Sequence, residues 1–510
     1  MKKFFTFALP IALAMAAVGC GVADSDNLNS LSIDGKYYSE PFEPQGTTGD
    51  KFDDFDDNSF VSTAEEPTST FSVDADGASY GIMRRYVSMG HNVNPSSVRI
   101  EEFLNYFTFN YAAPTDGENI AINAEVSSCP WNAEHRLLRL GIKGKELLES
   151  EVPLANYVFL VDVSGSMYSS DKLDLLKSGL IELVDQLNPE DRISIITYSG
   201  EVKKLLESTT VRNAFRIKKA ISMLQADGCT AGGKALKMAY EEALTNYDPN
   251  KNNRIIMGTD GDFNVGVTNT EALVEMVESY ARKGIYMTCL GFGTGNLNDA
   301  MMEKVSNAGN GNYYYIDNEN EMMKVFVHER ERFVSVANDT KCQVTFDPQY
   351  VSQYRLIGYE NRVMNNEDFE DDAKDAGEIG AGQTITALYE IVPTDDKWKI
   401  DSRTNRHPFA TFDVRYKPSL DAASRPLSHQ VAIEEMYDNS LNPLPLSENM
   451  NLAAGIAAYG MVLRKSPYAG EASLSMAKSL VNNSLDFDPY GRRAELVKLI
   501  EKIKKNYFEK

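Results

Sequence analysis

From residue 154 to residue 330 the chain alternates short apolar runs with longer amphipathic ones. Tyr157-Val158-Phe159-Leu160-Val161 is apolar at every position, as a strand buried on both faces requires. Leu173, Leu176, Leu180, Val184 and Leu187 follow at spacings of three and four, one face of a helix. Residues 192–198 read as the next strand, and Ala214, Ile217, Ile221 and Leu224 as a second helical face. Helices over 234–246 and 271–283 then alternate with strands over 254–259 and 285–292. This order predicts an α/β fold with a doubly wound, mostly parallel sheet. The flanks follow other rhythms. Helices are expected at 78–89 and 97–107, the second capped by Ser97 with Glu101 and Glu102 in its first turn. Strands are expected at 120–126, 135–142, 342–359, 384–392 and 409–416, with an acidic loop over 365–377. Leu452, Ile456, Tyr459 and Leu463 form one late helical stripe, and Leu496, Ile500 and Ile503 another.

The 510 residues exceed one ordinary core. The patterns divide them into a signal (1–19), a tether (20–68), a small α+β region (69–150), the doubly wound domain (151–332) and a β-rich, finally helical region (333–510). Lys2 and Lys3 precede a short apolar run ending at Gly19-Cys20, the pattern of a secretory signal. Ala17-Val18-Gly19-Cys20 resembles a bacterial lipobox, with Ala where Leu is usual. The resemblance implies that Cys20 carries lipid and that the protein is anchored in a bacterial cell envelope, on the periplasmic or outer-membrane side. Residues 21–68, polar and with the acidic run 51–57, are expected to be a solvated linker. A net charge of −23 excludes a nucleic-acid binder and a charge-driven membrane contact, leaving the lipid as the only membrane attachment. The remaining cysteines, Cys129, Cys229, Cys289 and Cys342, lack CxxC spacing and are expected to stay unpaired.

Three oxygen-rich segments fall at one end of the expected sheet. Asp162-Val163-Ser164-Gly165-Ser166 follows the first strand, Thr230 precedes a helix, and Thr259-Asp260-Gly261 follows the strand at 254–259. Ligands of doubly wound sheets bind outside the carboxyl ends of the strands. Carboxylates and hydroxyls are the donors that hard divalent cations select. With only two carboxylates, such an ion keeps charge to attract a further acid.

Asp162, Ser164, Ser166, Thr230 and Asp260 resemble the metal-ion-dependent adhesion site of von Willebrand factor type A domains, whose pattern is DxSxS, then Thr, then Asp. The resemblance implies Mg²⁺, or else Mn²⁺ or Ca²⁺, and a partner protein supplying an Asp or Glu. It also implies a final domain helix, near 319–332, that shifts on binding. Residues 70–74, 99–102, 260–266 and 291–296 look like a bacterial subfamily with its own N-terminal region and a further C-terminal domain. Cys229 stands where a small or hydroxyl residue is more usual. Because ends of such domains lie close together opposite the metal, the flanking strands are expected to share one sandwich, with the A domain presented on it as on a stalk.

Other readings fit less well. Gly228 to Lys234 matches GxxxxGK, but Ala235 stands where a P-loop needs Ser or Thr, and no strand precedes it. Gly291 to Gly295 is not GxGxxG. The five histidines lie far from these loops and no GxSxG elbow occurs, so no enzyme is expected. A structural envelope role without metal-gated binding is the alternative. Asp74 and Asp76 read as helix caps or as a small second cation site.

Overall fold

A computed structural model describes residues 49–115, 117–228, 233–261, 270–394, 408–432 and 446–508. The signal, Cys20, Cys229 and Thr230 lie outside these residues.

The central domain is a six-stranded sheet in the order Tyr313–Ile316, Ile285–Phe292, Asn252–Thr259, Ala155–Asp162, Arg192–Tyr198, Val202–Thr210. Five strands are parallel, and the last is an antiparallel edge. Alternation along the strand Ala155–Asp162 explains the three layers. Tyr157, Phe159 and Val161 face a core with the helices Leu175–Gln186 and Ala214–Ser222. Val158 and Leu160 face the opposite core with Gly233–Thr245, Thr270–Ala281 and Asp299–Ala308. The chain passes from Ala155–Asp162 to one neighbour and later returns to the other, so the sheet's switch point sits beside Asp162.

Strands from the two flanks form one sandwich. Ile120–Ser128 and Arg136–Gly144 pair in one sheet with Thr384–Pro393 and Val351–Ile357. Thr68–Ser72 pairs with Ser335–Phe346 in the other, followed by Pro408–Lys417 and Arg425–Ala432. One apolar core fills the space between them, from Val126 and Leu140 to Val344 and Phe412. Asn252 marks where the central domain enters and leaves. Its backbone N–H donates to Leu154 O (2.9 Å) and its side chain to Phe333 O (2.8 Å).

Several expectations need correction. The central domain is not held away on a stalk. Its edge is fused to helices Ala78–Met89, Ile100–Tyr106, Glu448–Arg464, Leu474–Asn482 and Arg492–Phe508 through a continuous core in which Met83 and Tyr459 join Tyr313 and Met301. Buried ion pairs cross the same boundary: Arg84 with Asp317 and Glu321, and Arg99 with Asp299. Residues 49–68 are not a free linker, because Asp53 pairs with Lys304, Asp57 with Arg464, and Val61–Ser62 forms a strand. Ser97 caps no helix. It lies in a preceding 3₁₀ turn, and Glu102 instead accepts Ser79 N–H at the start of the helix Ala78–Met89. Neither Asp74 nor Asp76 caps that helix, whose N-cap is Gly77. The segment 319–333 is three short pieces, Glu319–Met323, a π-turn Lys324–His328 and a 3₁₀ turn Arg330–Phe333. The Glu321, Lys324 and Glu329 ion pairs set that irregular path.

Candidate metal centre

Asp162 ends its strand fully buried, and the chain then curls so that Ser164 and Ser166 face one point. Asp162 Oδ1 accepts Ser164 N–H (2.9 Å), an Asx turn that fixes the curl. Its Oδ2 accepts from Thr259 Oγ1 (3.0 Å), tying the first loop to the third. The two serine hydroxyls lie 3.0 Å apart, Ser164 buried and Ser166 exposed. Gly165 N–H donates to Gly228 O (3.0 Å), which draws in the chain two residues before Thr230.

Asp260 is fully buried on the neighbouring strand end. One oxygen, Oδ2, accepts from Lys172 Nζ (2.9 Å), which also donates to Ser166 O (3.1 Å). The other, Oδ1, is buried and has no hydrogen-bond partner among the described residues. Burial, with Asp260 close by, pushes the Asp162 carboxyl up to about 6. Gly261 holds φ +100°, and a β-carbon there would meet Asn298 N at 2.5 Å. The Asp260 loop therefore packs directly on residues 296–298.

That outer loop is itself held. Asp50 Oδ1 accepts from Gly295 N (2.7 Å) and Leu297 N (3.0 Å), and Tyr86 OH donates to Asp50 Oδ2 (2.7 Å). The Gly295 amide, at the end of the stretch Gly291–Gly295, is thus engaged by a carboxylate of the chain itself. The stretch 224–228 before the GxxxxGK match follows the helix Ala214–Ser222 rather than a strand, contrary to P-loop context.

Four of the five expected ligands therefore meet, and Thr230 lies outside the described residues. The donor set suits a hard divalent cation: two hydroxyls, two buried carboxylates, and a buried carboxylate oxygen without a partner. Lys172 and Asp50 escaped sequence reasoning. A single lysine six residues past the serines carries no signal of its own, and Asp50 acts from far away in sequence.

The von Willebrand factor type A domain model matches residues 156–328, a von Willebrand factor model residues 46–139, and the YfbK C-terminal model residues 331–505. The uncharacterized protein YfbK of Escherichia coli is 37% identical over 474 residues, covering 88% of this chain and 80% of that one. The chain belongs to the YfbK family of von Willebrand factor type A proteins. The uncharacterized protein sll0103 of Synechocystis is 30% identical over 204 residues, 40% of this chain and 46% of its own length. A solved structure, von Willebrand factor type A from Catenulispora acidiphila, is 15% identical with a TM-score of 0.44, covering 78% of this chain and 91% of that one. No helix among the described residues is long and apolar enough to cross a membrane. Families built on the von Willebrand factor type A domain are typically interaction modules.

Proposed function

We propose that this protein is a lipid-anchored envelope receptor that captures an acidic side chain of a partner protein at a divalent metal in its A domain. The observation that supports the reading is Asp260 Oδ1, a buried carboxylate oxygen with no donor among the described residues, beside Asp162, Ser164 and Ser166. Such an orphan is costly unless a cation satisfies it. Asp162, Ser164, Ser166, Thr230 and Asp260 would hold Mg²⁺ or Mn²⁺, which supplies a Lewis-acidic position for an incoming carboxylate. Lys172 neutralises one oxygen of Asp260, so the buried acids do not hold two uncompensated charges. Asp162 fixes the serine loop, and Thr259 fixes Asp162. The Asp50 strap and Gly261 keep the loops in register.

Titrating Mn²⁺ into the full chain, read by calorimetry, should give one site that Asp162→Ala and Asp260→Ala abolish. Cross-linking on intact cells should then give adducts that vanish in EDTA and in Asp162→Ala, and return with Mg²⁺. Adducts indifferent to EDTA and to both substitutions would leave a purely structural envelope role.

A further inference from the structure

A cavity of about 850 Å³ opens between the helix Thr270–Ala281, the segment 72–76 and the strand Gly377–Gly380. That volume lies within the range of small-molecule sites. It is separate from the metal centre: Asp76 Oδ1 accepts the N–H of Tyr313, at the amino end of its strand, whereas Asp162 and Asp260 stand at carboxyl ends. Seven carboxyl side chains line the cavity against two basic ones. Both bases are already engaged. Lys304 pairs with Asp53 (2.7 Å), and Arg362 bonds Asp74 (2.9 Å) and Asn307 (3.0 Å).

Two carboxylate oxygens in this lining have no donor among the described residues. Asp76 Oδ2 belongs to a residue 2% exposed, and the nearest Arg362 nitrogen is 4.0 Å away, beyond hydrogen-bond reach. Glu378 Oε1 is the second, on a separate strand. Apolar side chains, Val274 and Ala308, lie among the acids. The neighbouring triad Asp74, Glu102 and Glu303 is a different case. Arg99 and Arg362 neutralise it, so it offers no vacancy to a metal.

We propose that this cavity binds a linear aliphatic polyamine, whose ammonium groups pair with Asp76 and Glu378 and whose methylenes lie on Val274. A compact metal ion would draw its donors around one point and use none of the apolar wall. An alkyl chain with separated charges uses both kinds of lining. Burial and neighbouring carboxylates push the Asp76 and Glu378 carboxyls well up, the direction that an arriving cation reverses.

Spermidine titrated into the full chain at low salt, followed by calorimetry, tests this. The expected result is one saturable site, weakened about tenfold or more by Asp76→Asn and by Glu378→Gln, as loss of a charged hydrogen bond implies. Asp76→Asn keeps an oxygen for Tyr313 N–H, and Glu378→Gln is an independent second variant should that one misfold. Asp162→Ala should leave spermidine binding unchanged. Spermidine binding unaffected by both cavity variants would mean diffuse attraction to an acidic surface and overturn the proposal. So would no saturable binding, or a Ca²⁺ site in Asp162→Ala that Asp76→Asn removes while spermidine fails to compete.

Discussion

Arg99→Met tests whether buried charge holds the A domain to its helical flank. Arg99 is 2% exposed and bonds Asp299 through both terminal nitrogens (2.6 and 3.2 Å), besides pairing with Glu102. Asp299 and Glu102 are both fully buried. Methionine keeps most of the volume and removes the charge, so packing loss is small and the stranded Asp299 dominates. Removing one partner of a buried pair costs about 3–5 kcal/mol. A second route gives a similar figure. A stranded carboxylate escapes by taking a proton, which at pH 7 costs about 4 kcal/mol for an ordinary aspartate and at pH 5 about 1.5 kcal/mol. Urea unfolding followed by tryptophan fluorescence, at both pH values, should therefore show a penalty that shrinks by more than half on acidification. The double variant with Asp299→Asn should recover part of it at pH 7. A loss below about 1 kcal/mol at pH 7 would refute the reasoning, as would an equal loss at both pH values.

Three further outcomes are expected. Gly261→Ala, forced to a positive φ with its new β-carbon against Asn298 N, should abolish Mn²⁺ binding and lower stability by about 2 kcal/mol or more, read by calorimetry and thermal melts. Burial raises Glu101 and Glu102 to about 8, so the folded state takes up protons there; their contribution is fully present below about 4.5 and is lost as pH rises to 8. Melting temperature in buffers from pH 6 to 9 should fall accordingly, and Glu101→Gln should flatten the decline. Asp50→Ala removes the acceptor of Gly295 N, Leu297 N and Tyr86 OH, so amide exchange at 293–298 should quicken about tenfold while that at 155–162 is unchanged, read by mass spectrometry.

The apolar runs of the central domain were readable because the strands Ala155–Asp162, Arg192–Tyr198, Asn252–Thr259 and Ile285–Phe292 are covered on both faces. Val202–Thr210 was missed for the opposite reason: an exposed edge strand carrying Lys203 and Lys204 has no apolar pattern to show. Arg425–Ala432, another polar edge strand, escaped likewise, and Tyr313–Ile316 is too short to show a period. At the candidate centre, motif order pointed to Asp162, Ser164, Ser166 and Asp260, which the fold brings close together. Lys172 and Asp50 were hidden because their meaning comes only from contacts across the fold. The charged residues of the helical flank misled most. Glu101 and Glu102 do stand in a helix's first turn, but Ser97 does not cap it, and the burial of both acids against Arg99 and neighbouring elements had no signal in the sequence.

The insertion of one domain within another governs how this polypeptide can assemble. Ile142 must find Ile385, about 240 positions onward, before the sandwich closes. If the intervening domain is already folded, Asn252 has brought Leu154 and Phe333 together, and only some 60 residues remain to be closed off. That is two halvings of the loop, or roughly 1.2 kcal/mol of entropy. The middle of the chain is thus the natural nucleus, and a polypeptide emerging amino end first leaves one edge of Arg136–Gly144, already paired with Ile120–Ser128, open until Thr384–Pro393 arrives.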